Sequence, residues 1–487
     1  MLQAIKYPMK SKTFFFKLLP IILFFFLICP GFVQESMYND GIWYAILSSN
    51  LANGAGNFWA PKLTETIFPV FREHPPLVFG IQSLFFQILG NSIIVERIYA
   101  FIIFILSSFL IIQIWKYVFR DQENMQGMWF LPLILWILNE VTWLYYPANV
   151  LEPTLGVFTL GSIYCFIQTT DKNLTVSKIM LITFGSILIL GAMLCKGFVG
   201  LFPVVFFGIH WLIFRNFSFL ELIKRMAVII SVVALGFFIF FLFKTSREAL
   251  LQYFDSQVLA SISGERTLNH YRSNHMHIIG RLFEILLPAI AVSALFFAVT
   301  FRKKTAGLIK RDLVNRSLLF IFIGISASFP LAISLKQAYY YLLPSLPYFS
   351  IGLGIIISPL VDDLIQRNRN INKKWAYKGG VVGLLIISIT FSLAHLGTIS
   401  KRDKILLEDV YKITSVVPDQ STVDLIKYDP YFVGYLYRLN YISIDTSNAI
   451  NHTFLIIPND FDFLELSNYE KVDIPTDMYD LYQHVNN

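Results

Sequence analysis

Charge is what this sequence has little of: Asp, Glu, Lys and Arg make up 15% of its 487 residues, where a soluble globular chain carries about 25%. With 55% apolar residues, 47 of them Phe, and a mean hydropathy of +0.60, core and surface must both be apolar, which excludes an ordinary soluble enzyme and requires lipid as solvent. Cysteine is sparse too. Cys29, Cys165 and Cys195 fall in or at the ends of apolar runs without metal-ligand spacing, so they point to no chemistry. Internal repeats and low-complexity segments are absent, which argues against a repeat-built transporter. The net charge of +7 is divided among short loops rather than gathered on one face, which argues against a nucleic-acid partner.

What is present is a series of long apolar runs. A helix needs about 20 apolar residues to cross roughly 30 Å of hydrocarbon. Eleven runs qualify, near 14–33, 93–115, 128–147, 150–170, 179–195, 197–214, 226–243, 278–301, 317–335, 338–360 and 379–397. Lys6, Lys10, Lys12 and Lys17 surround the start of the first, and no small-residue cleavage site follows it, so it is read as an uncleaved span. The stretch Pro76 to Gly90 is too short to cross and is read as an interfacial helix.

Charge orients the spans. With the N-terminus cytoplasmic, the inner segments hold 22 of the 39 Lys and Arg in 81 residues, as the positive-inside rule expects. Eleven crossings leave the tail outside, where it carries 14 Asp or Glu against 7 Lys or Arg. The fold expected is an all-α polytopic membrane protein of about eleven transmembrane helices plus interfacial helices, with a small extracytoplasmic α/β domain. Residues 1–397 form the membrane domain, with outer loops at 34–92 and 244–277, and residues 398–487 form the C-terminal domain.

This topology gathers ionisable residues on the outer face: Asp40, then Arg72-Glu73-His74-Pro75-Pro76, Glu152 opening a span, Lys196 in one outer hairpin, Lys336 in another, and Arg247, Arg266 and Arg272 in the long loop. Ionisable groups at membrane depth are costly and mark a functional cavity. Two carboxylates with several cations suit transfer from a lipid-linked phosphate, where cations hold the leaving phosphate and a carboxylate takes the acceptor's proton. Each residue also has a plainer reading. Asp40 would serve as a helix cap, Glu152 as a helix-start anion beside Pro153, Lys196 and Arg97 as snorkelling cations, His74 as part of a turn, and Tyr339 to Tyr341 as an interfacial aromatic belt. His270, His275 and His277 match no strong zinc spacing.

Asn39-Asp40-Gly41, Glu73-His74-Pro75-Pro76-Leu77, Glu96-Arg97, Asn149-Val150-Leu151-Glu152-Pro153, Cys195-Lys196-Gly197-Phe198-Val199 and Lys336-Gln337-Ala338-Tyr339-Tyr340-Tyr341-Leu342-Leu343-Pro344 occur in an order, and with a common outer placement, that resembles the multi-spanning GT-C glycosyltransferases of the protein O-mannosyltransferase type, which include bacterial lipid A aminoarabinose transferases. The resemblance covers roughly residues 14 to 360. It implies an inverting transfer from a polyprenyl-phosphate sugar to a lipid A, envelope-glycan or protein acceptor at the outer face of a bacterial inner membrane, with Asp40 as general base. Glu152 would orient the acceptor or support the cations. Lys196, Lys336, Arg266 and Arg272 would hold the donor phosphate, and Glu73, His74, Arg97, Tyr340 and Tyr341 would line the substrate. The family often pairs two acids in the first loop, whereas Gly41 holds the second position here. Clustered acids being few, turnover without a cofactor or metal ion is expected, with membrane lipids as surroundings. A flippase for a lipid-linked glycan, and a ligase or polymerase using a lipid-pyrophosphate donor, are the alternatives.

Overall fold

The computed structural model describes residues 14–171, 174, 176–263, 275–301, 309–367, 375–445, 450–461 and 468–485. Apolar side chains with no polar partner to satisfy drive the backbone to pair within each segment, and helices result. The first is α1 (Phe15–Val33), followed by α2 (Asn39–Ala52), α3 (Leu77–Leu89) and α4 (Ile94–Val118). With 13 residues and a rise of 1.5 Å per residue, α3 is about 20 Å long, which is short of a bilayer. The run near 128–147 is not one helix. It divides into Phe130–Ile137 and Glu140–Tyr145 at Asn139, whose buried side-chain amide donates back to the carbonyls of Leu135 (2.9 Å) and Trp136 (3.2 Å).

Helix α5 (Leu151–Gln168) is buried along most of its length and pairs with α6 (Lys178–Lys196). At Gly197 the backbone takes φ +71°, a left-handed conformation that glycine adopts at little cost. The chain then returns as a 3₁₀ stretch, Gly197–Val205, and a helix, Phe206–Phe214. A Cβ on Gly200 would lie 2.6 Å from the Ala192 carbonyl carbon, so the two legs are in backbone contact and residues 178–214 are a hairpin rather than one rod. Helix α7 (Phe219–Leu242) starts from Ser218, whose Oγ accepts the Glu221 N–H. A Ser followed three residues later by Glu is a helix-start signature.

Helices α8 (His277–Phe301), α9 (Arg311–Ser328), α10 (Leu346–Arg367) and α11 (Trp375–Leu393) complete the bundle. The apolar run beginning at 338 enters its long helix at Leu346, because Pro344 cannot supply an N–H and Tyr339–Leu342 forms a 3₁₀ turn ahead of it. Seven helices among the described residues are long and apolar enough to cross a membrane. The molecule is a mostly helical, multi-pass membrane protein.

Beyond α11 come α12 (Lys404–Thr414), β1 (Thr422–Leu425), α13 (Pro430–Asn440), β2 (Ser443–Asp445), β3 (Phe454–Pro458), β4 (Tyr469–Lys471) and β5 (Tyr479–His484). The sheet order is β2-β1-β3-β5-β4, with β1 parallel to β2 and β3 and β5 antiparallel to β3 and β4. All five residues of the central strand β3 are buried, and Phe432 of α13 stacks on Tyr479 at 3.9 Å. Helix α13 packs on α2. It also sends Arg438 to Glu96 of α4, Nη2 to Oε2 at 2.9 Å and Nε to Oε1 at 3.2 Å, with both side chains buried. A paired fork of this kind is the geometry that repays part of the desolvation of two charges.

Candidate active site

Three separate stretches converge where α2, α5 and α6 begin or end. Tyr38 precedes α2 in extended conformation and is its N-cap, without a side-chain capping bond. Asp40 therefore stands in the first turn, partly exposed, rather than serving as the cap. Its Oδ2 accepts a hydrogen bond of 2.7 Å from the Tyr340 hydroxyl, 300 positions later in the chain. The phenol keeps its proton and remains the donor. The Tyr44 phenol, one turn further along α2, is pushed up by burial and then by the charges of Asp40 and Glu152.

Glu152 lies in the first turn of α5, 2% exposed, and its Oε1 accepts from the Lys196 ammonium at the C-terminus of α6. The same ammonium stands over the rings of Tyr341, 4.0 Å from the centroid, and Tyr340, 5.2 Å. The Lys196 carbonyl accepts from the Tyr253 hydroxyl at 3.2 Å, which ties the helix Lys244–Tyr253 to this point. Tyr38, Tyr145 and Tyr340 form an aromatic wall with centroid separations of 5.1 to 5.7 Å. The result is a carboxylate, a cation held between a buried acid and two phenols, and aromatic faces around them.

Of the residues expected at the site, Asp40, Glu152, Lys196, Tyr340 and Tyr341 are brought together. Glu73 acts electrostatically on Tyr44, and the His74 ring packs against Tyr44 at 5.9 Å and Phe71 at 6.3 Å, so this motif flanks the cluster through α2. Lys336 is exposed, in a turn where its N–H donates to Ser334 Oγ at 3.2 Å. Arg97 is buried, and its guanidinium is taken up by the backbone carbonyls of Gly31, Pro147, Glu35 and Ser36. It is a clamp on main chain rather than a wall of the cavity. Arg266 and Arg272 lie outside the described residues.

Two features of the cluster were not singled out as site residues. Asn149 adopts φ +55°, a conformation Asn tolerates better than most residues. Its side chain donates to the Gly41 carbonyl at 3.0 Å and accepts from Gln82 at 2.7 Å, so it fixes the start of α5 against α2. The Asn149-Val150-Leu151-Glu152-Pro153 motif was the available signal. The second is Gly41, where a Cβ would stand 2.0 Å from the Ala148 carbonyl oxygen. No side chain fits there, so a second acid beside Asp40 is sterically excluded. Gly41→Ala is expected to part α2 from the 148–152 segment and reduce transfer at least about tenfold, because a misplacement of 1 Å can cost about a hundredfold. Transfer assays at matched protein level check it, and activity equal to wild type would show that the contact relaxes freely.

Among the described residues one group could hold a metal ion: Asp424, Asp445 and His452, with ligand atoms within 4.8 Å of one another. It lies in the C-terminal sheet, not at Asp40. There Asp424 Oδ2 accepts the N–H groups of Asn451 and His452, each at 2.8 Å, and Oδ1 meets His452 Nδ1 at 2.8 Å. These bonds account for the arrangement as the anchor of a turn.

No family model and no curated protein matches the chain. Solved structures do. ArnT from Cupriavidus metallidurans bound to undecaprenyl phosphate superposes with a TM-score of 0.62 over 99% of each chain at 12% identity. The same protein in the apo state gives 0.56 over 92% of this chain and 93% of that one, at 13% identity. The apo oligosaccharyltransferase of Archaeoglobus fulgidus gives 0.53 over 90% and 65%, at 14% identity. The chain has the GT-C fold. The backbone agreement runs from α1 through the C-terminal sheet, since the match to the first structure leaves almost nothing of either chain out.

Proposed function

We propose that this GT-C protein is an inverting glycosyltransferase that moves a sugar from a polyprenyl-phosphate donor to an acceptor hydroxyl or amine at the outer face of a bacterial cytoplasmic membrane. The observation that carries the reading is the juxtaposition of Asp40, partly exposed, with the ammonium of Lys196 held by Glu152 and Tyr341. The acceptor atom attacks the anomeric carbon while Asp40 takes its proton. The bond from that carbon to the phosphate oxygen breaks, and the electron pair leaves with the phosphate, where Lys196 meets the charge. Phosphate is already a competent leaving group, so a preorganised cation serves it better than a general acid would. Glu152 keeps the ammonium charged and aimed at membrane depth, where an isolated cation would be costly.

In this reading the chain crosses the membrane eleven times with its N-terminus cytoplasmic. Residues 1–397 form the membrane domain, and residues 398–487 lie outside beside the site. Lys336, Arg266 and Arg272 are further candidates for holding the donor phosphate. The fold of a transferase structure bound to undecaprenyl phosphate supports a lipid monophosphate donor. The test is transfer of radiolabel from undecaprenyl-phosphate mannose and undecaprenyl-phosphate aminoarabinose to the lipid and protein fractions of membranes containing the protein. Label appearing in one fraction names the donor and the acceptor class. Absence of transfer with both, alongside transfer from a pyrophosphate-linked glycan, would replace the monophosphate reading.

A further inference from the structure

The short turn between α1 and α2 leads directly into the helical turn that carries Asp40, and most polar groups of the connecting turn are engaged by residues far away in sequence. The Val33 carbonyl accepts from Gly397 N–H at 3.0 Å, and the Glu35 N–H donates to the Thr398 carbonyl at 3.0 Å. Ser36 Oγ accepts from the Ser400 N–H at 2.7 Å, and the Glu35 carboxylate accepts from the Tyr411 hydroxyl at 2.9 Å. Both backbone groups of Met37 are held. Its N–H donates to Tyr435 Oη at 2.8 Å, and its carbonyl accepts from Arg402 Nη2 at 2.7 Å. Arg402 and Tyr435 are themselves joined through buried Asp403, at 2.6 to 3.0 Å. From the opposite side Arg97 takes the carbonyls of Glu35 and Ser36.

We propose that Tyr435 and Arg402, from the segment after the last apolar helix, are positioning residues that fix the turn ahead of Asp40 through the backbone of Met37. This deepens the proposed function and rests on Asp40 being the base. The physical ground is that residues 33–37 have no regular secondary structure of their own beyond the last residue of α1, so without outside partners their register would vary. A base must stay within hydrogen-bond reach of the proton it takes, and small displacements are expensive in rate. Met37 Cγ lies 3.1 Å from where a Gly41 Cβ would stand, so a displaced Met37 pushes directly on the first turn of α2. The turn ahead of α12 and helix α13 thereby become part of how the site is aimed.

The test compares full-length wild type, Tyr435→Phe, Arg402→Gln and Asp40→Asn in detergent–lipid micelles. Hydrogen–deuterium exchange follows the peptide spanning 33–41, and transfer is measured with the radiolabelled undecaprenyl-phosphate sugars. Tyr435→Phe and Arg402→Gln are expected to speed exchange in this peptide and to lower kcat about tenfold or more, with the apparent KM for donor and for added acceptor membranes within about twofold of wild type. Arg402 is half exposed, so its replacement serves if Tyr435→Phe yields too little folded protein. Unchanged exchange, kcat per folded molecule equal to wild type, or a raised acceptor KM with kcat unchanged would each overturn the proposal. Full activity in Asp40→Asn would instead overturn the base assignment, which separates the two failures.

Discussion

Asp40→Asn is expected to lower sugar transfer by about a hundredfold or more, the range in which a general base contributes, with little change in stability or donor binding. The substitution is nearly isosteric, and the Asn carbonyl can still accept from the Tyr340 hydroxyl that now bonds Asp40 at 2.7 Å. What it removes is the ability to accept a proton. A helix-start role predicts a different outcome. Since Tyr38 is the N-cap and makes no side-chain capping bond, the helix-start contribution of the Asp40 charge is its favourable interaction with the helix dipole, about 0.3–1 kcal/mol. Transfer kinetics and thermal melting measured on the same preparations separate the readings. A variant with wild-type transfer and a lowered melting temperature would leave Asp40 a structural residue.

The helices were largely readable because hydrocarbon thickness dictates the length of an apolar run. That Leu77–Leu89 is too short to cross a bilayer followed from length alone, and the reversal at Gly197 followed from a short gap between two runs. Side-chain partnerships were another matter. Asp40, Glu152 and Lys196 could be placed on one face by topology, but nothing local in sequence announces that Tyr340 reaches Asp40, or that Lys196 lies over Tyr341. Arg97 illustrates the limit well. A cation at the start of a span satisfies the same pattern whether it meets a substrate or, as here, four backbone carbonyls. Gly41 departed from the family pattern without an evident reason until the approach of Ala148 supplied one. The Met37 contacts join positions almost 400 residues apart, a separation no periodicity can report.

Lys196→Met is expected to reduce kcat/KM by about 10² to 10³, the loss that follows removal of one preorganised donor to a developing anion, and Glu152→Gln is the partner that explains why. The pair is buried, with side-chain exposures of 11% and 2%. Removing one member leaves the other uncompensated, at about 3–5 kcal/mol. Each single change therefore mixes loss of function with the penalty of an orphaned charge, and the double variant resolves them. If Glu152 only sustains and aims the ammonium, Lys196→Met with Glu152→Gln should transfer sugar no more slowly than Lys196→Met alone, and should melt at a higher temperature because no charge is stranded. If Glu152 also orients the acceptor, the double variant should be slower than either single one, with the two losses close to additive. Kinetics of the four proteins against donor and acceptor complete the cycle. A Lys196→Met protein with unchanged kcat/KM would remove this cation from the phosphate and shift the search to Lys336.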